Sequence, residues 1–144
     1  MKLSKVIMFS LTSMLLMNFQ CNEDDVVLLP CGLEVVSNNE AYETAESDNF
    51  GVLNVDLSGD CLTVDVTTSG CDSNDWVLTL IDSGNIAESM PPQRYLKLTL
   101  FNNQVCLVVL EKAETFHLSS LRVDGTNEVL LNIEGLPESV LYAY

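Results

Sequence analysis

An alternation of apolar and polar residues across positions 59–82 is the feature of this sequence that most constrains its fold. Residues 62–66 read LTVDV, and a period of two is typical of a strand with one buried and one solvent-exposed face. Residues 69–75, SGCDSND, are turn-forming, and the alternation resumes at residues 76–80, WVLTL. We therefore expect two antiparallel strands joined by a polar turn, with Trp76 facing the core.

Further short strands follow at regular spacing, separated by turns rich in glycine, asparagine and aspartate. No amphipathic helix pattern interrupts them after the N-terminal segment. This pattern predicts an all-β fold, a two-sheet β-sandwich of immunoglobulin-like or jelly-roll type with about eight short antiparallel strands. A small barrel is the alternative. The chain is long enough for one domain of this kind.

The connections between these strands are predicted from composition and length. Residues 37–49 are polar and acidic and are expected to form a loop, whereas the longer segment 83–93 is expected to carry the chain between sheets. The Asn-Asn pair at 102–103 predicts a two-residue hairpin turn. Residues 105–110, VCLVVL, predict a central strand covered on both faces, and residues 115–123 a weaker strand.

The N-terminus has the pattern of an export signal. An apolar run at residues 6–19 follows two lysines, is too short to span a bilayer comfortably, and ends just before Cys21. The sequence FQCNEDD around Cys21 resembles the signals of Bacteroidetes lipoproteins, in which the cysteine is lipidated and the following acids mark export to the outer face of the outer membrane. The resemblance implies a signal peptide at 1–20, a lipidated Cys21 with an acidic tether at 21–25, and a folded domain at 26–144. The alternative is an ordinary secretory signal with a spare thiol.

The chain that follows the predicted signal peptide is strongly acidic. Residues 1–20 contain two of the six cations and no acid, so residues 21–144 have a net charge of 4 − 21 = −17. Such a surface repels nucleic acid and anionic lipid headgroups, which argues against both as partners. Attachment to the membrane would then rest on the lipid anchor alone. We expect a monomer with an unidentified protein or glycan ligand and no cofactor.

Four cysteines remain after the predicted lipidation site, and an even number in an exported chain predicts two disulfides. Cys61 and Cys71 flank a predicted strand roughly 33 Å long, so they are too far apart to bond to each other. Two pairings remain, Cys31–Cys61 with Cys71–Cys106 and Cys31–Cys71 with Cys61–Cys106. Moderate loop lengths favour the first. The lack of a C-x-x-C pair argues against a zinc site.

The turn DSND is the best metal-binding candidate in the sequence. Asp72, Asn74 and Asp75 could supply oxygen ligands to Ca²⁺, but their spacing differs from an EF-hand loop, and such turns are common in hairpins. The single histidine, His117, lies between two apolar residues of a predicted strand. We expect it to face solvent and not to act as a catalytic base.

The segment SMPPQR is the sharpest predicted surface feature. Adjacent prolines, Pro91 and Pro92, stiffen the chain and would lower the entropic cost of presenting Gln93 and Arg94 to a partner. This makes the four residues a candidate binding loop. The alternative, which the sequence favours, is a rigid connection without a binding role.

The whole chain resembles small Bacteroidetes surface lipoproteins of unassigned function, most specifically at FQCNEDD, and the resemblance implies a location but no substrate. We expect a non-catalytic binding or adhesion module on the cell surface. One alternative is a structural or accessory component of an outer-membrane envelope complex. Another is a small hydrolase, for which the sequence lacks a recognisable base, nucleophile and aromatic cleft. A flat apolar patch on an edge strand would favour the envelope complex.

Overall fold

A computed structural model describes residues 31–144, which fold into two β-sheets packed face to face. The predicted signal peptide at 1–20, the predicted lipidation site and tether at 21–25, and residues 26–30 of the predicted folded domain lie outside the described residues. The described part begins with Cys31, which is bonded to Cys61.

Nine strands lie within these residues: β1 (Leu33–Glu34), β2 (Val36–Ser37), β3 (Gly51–Ser58), β4 (Cys61–Gly70), β5 (Val77–Ala87), β6 (Gln93–Phe101), β7 (Val108–His117), β8 (Glu128–Glu134) and β9 (Val140–Ala143). The first sheet has the order β1-β7-β4-β3 and the second the order β2-β5-β6-β8-β9. The predicted two-sheet β-sandwich is therefore confirmed. Its sheets are mixed, since β1 pairs with β7, β2 with β5 and β6 with β8 in parallel, where we expected antiparallel strands.

Alternate residues of the central strands supply the core, as the period of two predicts. Trp76 is 1% exposed, which confirms its predicted place in the core. The buried apolar cluster also contains Leu62, Val64, Val66, Leu78, Leu80, Leu96, Leu98, Leu100, Phe116, Leu118, Leu121, Val129, Leu131, Ile133 and Tyr142. Both sheets contribute to it, so the core lies between them.

The stretch predicted as one hairpin instead crosses between the sheets. Strand β4 belongs to the first sheet and β5 to the second, so they do not pair. A short 3₁₀ helix at Ser73–Asp75, capped by the side chain of Asp72, turns the chain from one sheet to the other. The period of two was correct for each strand, but it did not say which sheet each strand joins.

Both disulfides have the pairing that the sequence favoured. Cys31 is bonded to Cys61 and Cys71 to Cys106, with Cα–Cα distances of 5.9 and 5.0 Å. Cys61 and Gly70 are the two ends of one continuous strand, which confirms that Cys61 could not reach Cys71. The second bond joins the two segments that pass between the sheets, residues 71–76 and 102–107.

Two segments predicted as loops contain regular structure. Residues 37–49 contain a helix, α1 (Asn39–Thr44), because the Asn38 side chain accepts a hydrogen bond from the Ala41 N–H and caps it. Residues 83–93 do not change sheets, since β5 continues to Ala87 and pairs with β6. Helix α1 has six residues, so no helix in the described part of the chain has the length and hydropathy of a membrane span.

The segments on either side of β7 also differ from expectation. The Asn-Asn pair at 102–103 is not a hairpin turn, because β6 and β7 lie in different sheets. Residues 105 and 107–109 are exposed, and Cys106 is half-buried, so the segment is not covered on both faces. Strand β7 ends at His117, and the predicted strand at 115–123 gives way to a 3₁₀ helix at Ser119–Leu121.

Candidate functional site

Arg94, one of the four residues of the candidate binding loop, lies inside the sandwich and is not presented at the surface. The residue is 8% exposed, and its Nε donates to the Leu121 carbonyl at 2.8 Å. Its Nη1 donates at 2.8 Å to Asp82 Oδ2, which also accepts from Ser37 Oγ at 2.8 Å. Arg94 shares the inward parity of Leu96 along β6, and it neutralises a carboxylate that is fully buried.

The rest of the predicted binding loop is tied to the domain. Pro91, Pro92 and Gln93 are half-buried. Gln93 begins β6, where its Nε2 donates to Ser89 Oγ at 3.1 Å and its Oε1 accepts from Asn132 Nδ2 at 3.0 Å. These contacts support the interpretation of the segment as a rigid connection.

The predicted calcium ligands have structural roles in the 3₁₀ turn. Asp72 Oδ1 accepts from the Asn74 N–H at 2.9 Å and from Asn74 Nδ2 at 2.8 Å. Asp75 Oδ2 accepts from Gln104 Nε2 at 3.3 Å. Within residues 31–144, no three His, Cys, Asp or Glu side chains form a metal-binding group. Calcium binding stays a prediction, and the capping contacts account for these residues without it.

His117 is 7% exposed, so the prediction that it faces solvent is wrong. It lies on the outer face of β7, where Cys31 covers it with a Nδ1–Sγ distance of 3.5 Å. That sulfur is bonded to Cys61, so it is not available as a nucleophile. The histidine therefore packs under a disulfide and belongs to no cysteine–histidine pair.

A run of exposed apolar side chains lies where the chain enters β7. Val105, Leu107, Val108 and Val109 are 94%, 88%, 60% and 73% exposed. We name residues 105–109 the display segment. Such a concentration of exposed apolar residues commonly marks an interaction surface.

The display segment is held in one conformation by Gln104, which precedes it, and by Cys106 within it. Gln104 Oε1 accepts from the Cys71 N–H at 2.6 Å and from Trp76 Nε1 at 3.3 Å, while Cys106 is bonded to Cys71. Gly70 makes room for this arrangement, because a Cβ there would lie 2.6 Å from Gln104 Oε1 and 2.8 Å from Trp76 Nε1. With residues 104 and 106 fixed inward, the side chains at 105 and 107 point away from the domain.

The display segment continues into an unpaired strand edge. Strand β7 pairs with β4 along its length, but on its other side β1 reaches only Phe116 and His117. The Leu110 carbonyl accepts from Thr67 Oγ1 on β4, whereas the Thr115 carbonyl faces Gly32 on the β1 side. Because successive residues of a strand direct their backbone groups to opposite edges, Val109, Glu111 and Ala113 present N–H and C=O groups to the unpaired edge.

Few cations offset the acidic charge. Each of the four Lys and Arg side chains in residues 31–144 lies within 4 Å of a carboxylate, in the pairs Arg94–Asp82, Lys97–Glu134, Lys112–Glu114 and Arg122–Asp60. Glu111 is exposed on the outer face of β7 and has no cation at that distance among the described residues. Thr67 on β4 is its cross-strand neighbour. The unpaired edge therefore combines apolar side chains with an uncompensated carboxylate.

The opposite end of the sandwich is closed by a polar network. Asp60, between β3 and β4, accepts hydrogen bonds from Tyr142 and from Arg122 Nη2, the latter at 2.8 Å. These bonds, chiefly that from Tyr142, lower the pKa of Asp60, while burial raises the pKa of Tyr142. Tyr142 is therefore protonated at neutral pH and can donate to the carboxylate. The network joins the two sheets far from the display segment.

Shallow clefts lie elsewhere on the described surface, among them the following two. One, of about 450 Å³, lies between β3 and the β8–β9 connection and is lined by apolar residues such as Leu53, Leu136 and Val140. The other, of about 530 Å³, lies beside Met90 and Val123. Neither brings together carboxylates or a nucleophile with a base among its lining residues. The lining of the second cleft is mainly apolar, which suits packing contacts better than acid–base chemistry.

Sequence reasoning missed the display segment because it assigned residues 105–110 to the interior. A signal was available: Asn102, Gln104 and Cys106 recur with a period of two and are the natural inward residues if both cysteines of the Cys71–Cys106 bond face the domain. That parity turns Val105 outward.

No protein-family model matches the sequence, and no curated protein has significant similarity to it. Solved structures that share the fold include the following two. One is a DUF1344 protein of unknown function from Bacteroides vulgatus, with a TM-score of 0.53, 14% identity, and coverage of 78% of this chain and 55% of that one. The other is a putative toxin-related protein from Parabacteroides distasonis, with a TM-score of 0.53, 16% identity, and coverage of 79% and 60%. This chain thus spans less than two thirds of either structure.

Proposed function

We propose that this protein is a lipid-anchored, non-catalytic binding module of the cell surface, and that it binds a partner protein through the display segment. The observation that carries the proposal is the exposure of Val105 and Leu107 on a segment that a disulfide and Gln104 hold rigid. Exposed apolar area supplies the driving force for association, and a rigid segment loses little conformational entropy when it is covered.

The anchor is the second part of the proposal. FQCNEDD supports lipidation of Cys21 and display at the outer membrane, and the two disulfides support export. Cys21 precedes Cys31 by ten residues, which span roughly 35 Å at most, so the domain would stay near the membrane surface. Intact mass of the membrane-extracted protein checks this. Unlipidated chain in the wild type, or unchanged membrane association in Cys21→Ser, would contradict the anchor.

Binding through the display segment is tested by site-specific photo-crosslinking in cells that express the full chain. A benzophenone amino acid replaces Leu107 in one variant and Leu53 in the control, since both leucines are exposed but Leu53 lies on β3, at the other edge of the first sheet. We expect an adduct from position 107, none of the same mass from position 53, and loss of the adduct when Val105→Ser is added. The same adduct from both positions would contradict the proposal.

An accessory role in an outer-membrane envelope complex is the second candidate. It is favoured by the position of the display segment beside an unpaired strand edge, because obligate partners commonly cover such edges. The two candidates differ in stoichiometry. A complex component would co-purify with its partner in a fixed ratio at native expression, whereas a surface binding module would be isolated mainly alone.

A further inference from the structure

We propose that the unpaired edge of β7 binds an extended segment of another protein as an added strand, and that this segment carries an apolar residue followed or preceded, two positions away, by Lys or Arg. The inference rests on the proposed function and names the kind of partner that the display segment binds. It follows from the backbone groups, the side chains and the charge along one edge.

The backbone of the edge is suited to strand addition. Val109, Glu111 and Ala113 direct their N–H and C=O groups away from β4 and have no neighbouring strand on that side within residues 31–144. An extended peptide can satisfy these groups with main-chain hydrogen bonds, which give affinity without a deep pocket. A helix offers no free main-chain groups for such pairing, so a strand is the partner conformation that fits.

The side chains along the edge indicate which residues of an added strand they would bind favourably. On the outer face, exposed Val109 and exposed Glu111 are two residues apart, and the small Ala113 follows. A residue of the added strand beside Val109 gains apolar contact, and the residue two positions away lies beside a carboxylate without a cation. Apolar and basic side chains in alternate positions therefore match the edge.

Within the described residues, the chain turns away from the edge at Gly32. In parallel pairing, residues before Leu33 would lie beside Thr115 and then Ala113. Gly32 instead turns the chain, with a φ of +53°, and Cys31 is bonded to Cys61 on β4, which lies across β7 from the edge. At Cys31, where the described residues begin, the chain is therefore directed toward Cys61 and not along the edge.

A second copy of the chain is a poor match as well. In a symmetric antiparallel pairing centred on the unpaired residues, Glu111 lies opposite Glu111 of the second copy. Like charges directly opposite each other destabilise a strand pair, and each chain would bring a net charge of −17 over residues 21–144. A basic segment of a different protein avoids both penalties.

The experiment selects linear 12-residue peptides from a random display library on the full mature chain, purified in detergent. We expect the enriched peptides to be rich in alternating apolar and basic residues. Ala113→Pro removes a main-chain donor from the unpaired edge but none from the β4 pairing, and we expect it to weaken the dissociation constant of a synthesised peptide at least tenfold. Ala113→Ser keeps the donor and should change it less than twofold. Glu111→Gln should weaken binding several-fold and reduce its dependence on salt.

Amide hydrogen exchange on the wild-type chain gives a measurement that no variant can confound by misfolding. Bound peptide should protect the amides of Val109, Glu111 and Ala113 and leave those of Leu110 and Lys112 unchanged, because the latter already face β4. The inference would be overturned if Ala113→Pro bound the peptide as tightly as the wild type, or if the peptide protected amides elsewhere in the chain. It would also be overturned if the selected peptides were acidic or showed no enrichment, or if light scattering showed a dimer that Ala113→Pro dissociates. If peptide binding and the cellular adduct depend on Val105 but not on the edge amides, the proposed function stands and strand addition fails.

Discussion

Replacement of Arg94 by methionine tests whether this arginine is a structural cation or a binding residue. Methionine keeps the length of the side chain but leaves the Asp82 carboxylate, which is fully buried, without its cation. Loss of one member of a buried ion pair costs about 3–5 kcal/mol. The Leu121 carbonyl also loses its donor, for about 1 kcal/mol more. We therefore expect Arg94→Met to lower the free energy of unfolding by about 4–6 kcal/mol.

Two further variants separate the ion pair from general effects of the substitution. Lys97→Met makes the same change three residues along β6, where the cation lies 3.8 Å from Glu134 and that carboxylate is largely exposed. Lys97 Nζ also donates to the Tyr42 carbonyl at 2.7 Å, so its loss should cost about 1–2 kcal/mol, well below the loss expected for Arg94→Met. The double variant Asp82→Leu/Arg94→Met removes both charges and should be more stable than Arg94→Met alone, because no buried charge is left unpaired.

Urea unfolding under non-reducing conditions measures these differences, with the fluorescence of the single, buried Trp76 as the reporter. An exposed loop residue without structural partners would change the free energy of unfolding by about 0.5 kcal/mol or less. A loss of that size in Arg94→Met, or a double variant less stable than Arg94→Met, would refute the assignment of Arg94 to the interior.

Three other substitutions test the polar network at Asp60, the Cys71–Cys106 disulfide and the turn at Gly32. The lowered pKa of Asp60 gives stability that is complete above about pH 4 and is lost as the pH falls through that lowered pKa, so Asp60→Asn should flatten the decline of urea midpoints between pH 7 and pH 2; parallel curves would contradict this. Cys71→Ser with Cys106→Ser opens a 35-residue loop and should lower the free energy of unfolding in urea by about 4 kcal/mol. A loss below about 1 kcal/mol would mean that hydrogen bonds alone hold together the two segments that pass between the sheets. Gly32→Ala places a Cβ 1.8 Å from the Thr115 carbonyl oxygen, so it should lower the free energy of unfolding by more than about 1 kcal/mol and lower the thermal midpoint accordingly. An unchanged thermal midpoint would show that β1 can move away from β7.

The sequence predicted those parts of the fold that depend on local pattern or on simple distance. Strand β3 at Gly51–Ser58 pairs with β4 across the Gly59–Asp60 turn, and β4 has the period of two expected for residues 62–66. The exclusion of a Cys61–Cys71 bond needed only the rise of a strand. The pairing of β3 with β4 and the exclusion of this bond were both predictable because each depends only on residues close together in the sequence.

Sheet membership was not predictable in the same way. A polar turn between two alternating strands looks the same whether it closes a hairpin, as between β5 and β6, or crosses between sheets, as between β4 and β5. The difference depends on distant partners, above all the bond from Cys71 to Cys106 and the contacts of Gln104. Those partners are more than 25 residues away in the sequence, beyond any local window.

Burial was mispredicted where composition and environment disagree. Residues 105–110 are apolar throughout, so no polar neighbour marks a solvent-facing side, and exposure follows from the disulfide that fixes Cys106. Arg94 is the reverse case, a cation on an inward position, stabilised by the carboxylate of Asp82 that only the fold brings near. In each case a tertiary contact overrides the local preference.

The unpaired edge of β7 is both the candidate binding site and the part of the surface through which monomers could associate. An exposed edge flanked by apolar side chains pairs readily with other edges, and soluble proteins usually block such edges with charge, proline or a covering segment. Here β1 covers only the end of the edge near His117, and Glu111 is the one acid among Val109, Glu111 and Ala113, whose backbone groups face the unpaired side. The strong negative charge opposes pairing of identical copies and favours pairing with a basic strand. Glu111→Lys should therefore weaken binding of basic peptides and at the same time promote self-association, and light scattering that shows only monomer at high protein concentration would argue that charge is not what keeps the edge open.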